Sequence, residues 1–269
     1  MIRFGLVTDM HFGPEVHFKG QLRKLSHRAA DLARNVAAAV QANEVDFLVN
    51  LGDSIEDESA ELDRQRYGQS VEVLAGCGRE VVHVAGNHDT INLHPAELNA
   101  FWSRPSEALL YRSFQRQGVQ FLVLHTLERK DVDVRIDDEQ LRWVHAQLAS
   151  GDGPVVVFMH HSAAEQDLRQ NRWFAGVPHL CLIKERRALR RAFEESGRVV
   201  AVFNGHLHWN HLDVIGGIPY VTLQSLIENI DEDAPGRAAA AHAMVRLSQR
   251  QLLIDIAGLQ PAHYQFQIR

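Results

Sequence analysis

Five short clusters of Asp, Asn and His punctuate the chain, each directly after an apolar run. They are Thr8-Asp9-Met10-His11, Asn50-Leu51-Gly52-Asp53, Gly86-Asn87-His88-Asp89, His160-His161 and Gly205-His206-Leu207-His208. Imidazole, carboxylate and amide donors suit Zn, Mn or Fe, and the two cysteines, Cys77 and Cys181, stand outside the clusters, which argues against a thiolate site. Taken singly each cluster is weak, because a D-x-H triplet arises by chance and glycine next to polar residues is ordinary turn chemistry. Five in order are another matter. Seven candidate ligands (Asp9, His11, Asp53, Asn87, His160, His206 and His208) are too many for one tetrahedral ion. They suit two ions sharing a bridging carboxylate, at the ~3.5–4 Å separation of two-metal hydrolytic sites.

Such donors must be delivered by elements whose ends converge. Strand-like runs are expected at Ile2–Thr8, Asp46–Leu51, Glu80–Ala85, Gln120–Leu124, Pro154–Met159 and Val199–Asn204. Helical spacing runs from Leu22 to Val40, from Glu58 to Leu74 and from Ile183 to Glu195, and Asp137 or Asp138 caps a further helix carrying Leu141, Val144 and Leu148. Strand–helix alternation predicts βαβ units and a largely parallel core sheet. In such sheets the crevice beyond the carboxyl ends of the strands binds ligands, and every cluster sits at such an end. Beyond residue 205 a hairpin is expected around Gly216-Gly217, with strands at His242–Leu247 and Gln251–Ile256 forming part of a second sheet. Residues 162–182 read as a surface excursion and 231–241 as a loose loop.

A length of 269 residues with 45% hydrophobic and 23% charged content is that of an ordinary globular protein, and one domain over 1–269 is expected. A net charge of −6 without a basic tract argues against general nucleic-acid binding, and no apolar run of membrane-spanning length occurs. The N-terminus lacks a signal-peptide pattern, so a cytoplasmic location is expected. The β-rich C-terminus offers an edge for a homodimer.

The motifs D-x-H, G-D-x-x-E, G-N-H-D, H-H and G-H-x-H, in this order over residues 9–208, closely resemble those of the calcineurin-like metallophosphoesterases. The H-H and "GIPYVTLQSLIEN" stretches are similar to the bacterial class III cyclic-nucleotide and glycerophosphodiester phosphodiesterases. The resemblance implies an α/β fold, a four-layer αββα sandwich of two mixed sheets flanked by helices. It implies one ion on Asp9, His11 and His208, another on Asn87, His160 and His206, and Asp53 bridging them. It also implies that His88 contacts the phosphate and assists the leaving group, oriented by Glu56, with Asp57 and Glu58 standing nearby. One departure concerns the loop after His161, where Ser162 and Ala163 stand in place of the family's frequent proline.

These residues imply a phosphoester hydrolase, foremost a phosphodiesterase in which metal-activated hydroxide attacks phosphorus in line. The alternatives are a pyrophosphohydrolase or phosphomonoesterase on the same ions and, more remotely, a non-catalytic interaction module. His161, Trp173 and Asn204 are candidate substrate contacts. Against them stand a neighbour exposed by strand alternation, a loop anchor and a loop-forming asparagine respectively.

Overall fold

The computed structural model describes residues 1–232 and 234–268. The run at Ile2–Val7 forms β1, whose Phe4 and Leu6 face one side while Val7 faces the other. β1 pairs in parallel with β4 (Phe47–Asn50), which pairs in parallel with β5 (Glu80–His83). On its other edge β1 pairs antiparallel with β14 (His242–Leu247), followed by β15 (Gln251–Ala257) and β16 (Ala262–Gln267). The second six-stranded sheet runs β12 (His211–Ile215), β13 (Ile218–Thr222), β11 (Val199–Asn204), β10 (Val155–Phe158), β7 (Val119–Val123) and β6 (Arg112–Arg116). Its four central strands are parallel and its two edge pairs antiparallel.

The central strands of both sheets are buried on both faces, which explains why they read as continuous apolar runs. The facing sides share one core containing Phe4, Phe47, Phe121, Phe158 and Phe203. The outer side of the first sheet packs on α1 (Ala29–Ala42) and α2 (Ala60–Ala75), and that of the second on α4 (Asp138–Ala149) and α5 (Arg186–Ser196). This is the expected four-layer αββα sandwich. Phe4 lies at the centre of the core, stacked on Phe47 at 5.3 Å and edge-on to Phe121, Phe158 and Phe203 at 5.6–5.9 Å. Phe4→Ala is expected to cost about 3–5 kcal/mol in urea unfolding, through lost burial plus a cavity across both sheets. A loss below about 1 kcal/mol would refute this placement.

The helix expected from Leu22 to Val40 begins only at Ala29. Its first turn is instead part of β3 (Gln21–Lys24), which forms a hairpin with β2 (Val16–Phe18). Lys19 and Gly20 both take positive φ (52° and 79°), the two-residue turn that matches strand twist. Leu22 and Leu25 keep helical spacing with the helix behind them, so periodicity alone ran through the turn. Ser59 caps α2 through Leu62 N–H, and Asp137 caps α4 through Gln140 N–H at 2.7 Å. The short helix α3 (Pro95–Phe101) and the hairpin of β8 (Leu127–Arg129) and β9 (Asp133–Arg135) lay outside the sequence expectations. Of the loop expected at 231–241, Asp233 lies outside the described residues; the others form no helix or strand apart from a bridge at Ala238. Among the described residues no helix is long and apolar enough to cross a membrane.

Candidate metal centre

The five clusters follow the carboxyl ends of β1, β4, β5, β10 and β11, three strands of one sheet and two of the other. The site therefore straddles the two sheets. Pairing continues past the strands to hold these loops, with Asp9 N–H donating to Gly52 O (2.9 Å), His11 N–H to Asp53 O (3.1 Å) and Gly205 N–H to His160 O (3.0 Å). Asp9, His11, Asp53, His206 and His208 all have positive φ, between 45° and 66°. Left-handed backbone at five non-glycine residues of one site is a sign of strain kept for function. Gly86 permits a close approach: a Cβ there would overlap both the backbone and the carboxylate of Asp53.

Two groups of donors emerge. In the first, His11 Nε2 and His208 Nε2 lie 3.1 Å apart, and His208 Nε2 lies 3.3 Å from Asp9 Oδ1. In the second, His160 Nε2 and His206 Nδ1 each lie 3.1 Å from Asn87 Oδ1. Asp53 Oδ2 stands between them, 3.2 Å from His160 Nε2 and 3.9 Å from His11 Nε2. All seven residues come together; Asn87 alone is more than marginally exposed.

The outer ring nitrogens fix the tautomers. His11 Nδ1 faces Glu56 Oε2 at 2.9 Å and His208 Nδ1 faces Glu228 Oε2 at 2.8 Å. His160 Nδ1 donates to Leu51 O at 2.9 Å and His206 Nε2 to Leu180 O at 3.3 Å. A ring carrying one proton spends it outward and turns a lone pair inward, so that neutral rings would set lone pairs facing one another across 3.1 Å. Positive charge between the rings reconciles that geometry, whether a metal ion or a proton carried on His160 or His208. Burial pushes His160 and His208 down, yet Asp53 beside the one, and Asp9 and Glu228 beside the other, carry both up to about 9. The site demands positive charge, and its donor set fits metal ions.

His88 belongs to neither donor group in the same way. Its N–H donates to Asp53 Oδ1 at 3.0 Å, and its Nδ1 bonds Asp57 Oδ1 at 2.5 Å. Burial and Lys24 push its pKa down; Asp53, Asp57 and Glu56 outweigh them and hold it above the ordinary histidine value. The expected pairing of His88 with Glu56 is the longer of two carboxylate contacts, Asp57 being the nearer. Glu56 Oε1 lies 3.9 Å from His88 Nδ1, while Oε2 accepts from His11 and from the buried Lys24 ammonium at 2.6 Å. The ammonium draws Glu56 toward His11 and leaves Asp57, the next residue, for His88.

Asn204 is corrected. It is buried, its amide N–H donates to Gly205 O at 2.9 Å and its carbonyl accepts from Thr222 Oγ1 at 3.2 Å, so it shapes the loop and does not face a substrate. His161 is fully buried, bonded through Nδ1 to Thr126 Oγ1 at 2.7 Å, with its ring 4.1 Å from that of His206. Trp173 anchors its loop, donating Nε1–H to Glu228 Oε2 at 3.1 Å and stacking on Phe18 at 4.8 Å. Asp89 ties two clusters together, accepting Ser54 N–H at 2.8 Å and Gly86 N–H at 2.9 Å.

Sequence reasoning missed Glu228, Lys24 and the dominance of Asp57. Glu228 stands in the apolar run Leu226-Ile227-Glu228, where a 2%-exposed carboxylate requires a partner. Lys24 was hidden by the false helix. Glu228→Gln keeps the shape but removes the charge behind His208. It is expected to weaken binding of a metal ion at the Asp9, His11 and His208 group about 10–100-fold in a Mn²⁺ titration, the usual effect of such partners. Unchanged affinity would refute the role.

The chain's residues 2–210 match the family model of the calcineurin-like phosphoesterases. A probable cyclic nucleotide phosphodiesterase of Synechococcus sp. is 29% identical over 157 residues, covering 58% of this chain and 56% of that relative. The match thus spans little more than half of the curated relative. Among solved structures, a dimetal phosphatase from Danio rerio superposes with a TM-score of 0.79 at 17% identity, over 100% of this chain and 99% of that one. The purple acid phosphatase PPD1 of yellow lupin superposes with a TM-score of 0.71 at 12% identity, over 99% of this chain and 53% of the other. At those identities the structures speak for the fold, while the family match covers all five clusters. The chain belongs to the calcineurin-like phosphoesterases, hydrolases that act on phosphoesters.

Proposed function

We propose that this protein is a phosphodiesterase working with two metal ions, one on Asp9, His11 and His208, the other on Asn87, His160 and His206, with Asp53 shared. The observation that carries the reading is the pair of inward-facing lone-pair clusters on either side of one carboxylate. Two ions (Mn, Fe or Zn) held by these residues would supply Lewis-acid polarisation of phosphoryl oxygens and a water of lowered pKa, toward ~7.

The chain's own residues supply the rest. Asp57 occupies Nδ1 of His88, leaving Nε2 to hold the proton that the departing alkoxide needs. The Asp53 bond to the backbone N–H of His88 keeps that ring beside the shared carboxylate. A diester is favoured over a monoester by the relative, named for cyclic nucleotide hydrolysis. With Mn²⁺ present, bis(p-nitrophenyl) phosphate should be cleaved with a kcat/KM at least about tenfold above that for p-nitrophenyl phosphate, and a chelator should abolish both. A preference for the monoester would overturn the diesterase reading, and activity on neither despite bound metal would favour a non-catalytic module.

A further inference from the structure

The first sheet ends in the edge strands β16 and β5, and the second in β12 and β6. An open edge invites pairing with another chain, and charged side chains or proline on the edge discourage it. β5 carries Glu80, β6 carries Arg112 and Arg116, and β12 carries Asp213. Glu80 and Arg116 also tie their two edges together as an ion pair. β16 (Ala262–Gln267) has no Asp, Glu, Lys, Arg or proline. Its histidine, His263, is bonded to Asp255, which also accepts from Arg246, so the edge brings no unmatched charge.

The register decides which groups this edge offers. β16 pairs antiparallel with β15 from Gln251↔Gln267 to Ile256↔Ala262 without a break. Ile268 N–H donates to Arg250 O at 2.9 Å in the same register, and bonded pairs alternate along an antiparallel ladder. Ala262, Tyr264 and Phe266 therefore spend their backbone groups on β15. The N–H and C=O groups of His263, Gln265 and Gln267 point outward, and among the described residues no hydrogen bond reaches them. The side chains of these three are exposed, whereas Tyr264 and Phe266 are half-buried against the core between the sheets. Leu212 on β12 and Ile268 pack against that core in the same half-buried state.

We propose that β16 pairs with β16 of a second copy of this chain, antiparallel about a two-fold axis at Gln265, joining two first sheets into one. Gln265 is the middle of the three outward residues, so the strand is its own complement. Gln265 exchanges both bonds with its counterpart, and His263 exchanges both with Gln267 of the second copy. No outward backbone group stays unpaired, and no like charges are set opposite. Tyr264 meets Phe266 of the second copy on the core side, an aromatic cross-strand pair that the symmetry makes twice. A second copy is favoured over a foreign strand because every bond and this aromatic pair are doubled by the axis.

Light scattering of the full chain at micromolar concentration is expected to give twice the chain mass. Gln265→Pro removes the N–H at the axis but none that β15 uses, and proline is tolerated at such an edge. It should weaken the dimer about tenfold or more, the worth of the two bonds lost. Gln265→Glu sets like charges opposite without touching the backbone; it should also weaken the dimer, less so in high salt. Cysteine substitution reads the register. In Gln265→Cys the two Cα atoms would lie about 5.5 Å apart, within disulfide reach, and in His263→Cys about 13 Å apart. Cys77 and Cys181 are buried, so under mild oxidation Gln265→Cys alone should form a covalent dimer. A monomeric wild type would give the edge to some other chain and overturn the proposal. So would a dimer that folded Gln265→Pro and Gln265→Glu leave intact, or equal cross-linking by the two cysteine variants.

Discussion

Asp53→Asn is expected to lose stable binding of both ions and at least about 10³-fold in kcat/KM. The side chain is nearly fully buried between the two donor groups, with Oδ2 3.2 Å from His160 Nε2 and 3.9 Å from His11 Nε2. Asparagine fills the same space, so the fold should persist. Its N–H₂, however, offers no lone pair, and its neutral oxygen no longer balances positive charge between the two groups. Removing one preorganised electrostatic partner at a reaction centre costs about 10²–10³, and on the proposed reading two ions would depend on the same group. Metal analysis after dialysis, together with the rate on bis(p-nitrophenyl) phosphate, reads both effects. Two equivalents of metal at wild-type rate would show that Asp53 is not shared.

His88→Ala should behave oppositely with respect to metal. A fall in kcat of about 10²–10⁴ is expected, the range for a lost proton donor, with metal content close to wild type. The geometry behind this is a ring whose Nδ1 is taken by Asp57 and whose side chain is 23% exposed, whereas the histidines of the two donor groups are buried. Loss of one metal equivalent in this variant would make His88 a ligand.

The central strands were legible because they are buried on both faces, so each announces itself as an apolar run ended by polar residues. The seven candidate ligands were legible for the same reason: they follow those ends directly. What periodicity could not show was a hairpin in front of a helix with which it shares spacing, and losing that hairpin hid Lys24. The partition of Glu56 and Asp57 between His11 and His88 is set by that lysine across 32 positions, and no local pattern encodes it. Glu228 reaches His208 across 20 positions and gives its own signal only as a charge in an apolar run.

Two ions acting together are what the proposed reaction requires. Metal-stripped protein titrated with Mn²⁺, while hydrolysis of bis(p-nitrophenyl) phosphate is followed, tests that most directly. Activity is predicted to stay low through the first equivalent and to rise to its plateau as the second is filled. Full activity at one equivalent, or none at any ratio, would contradict it.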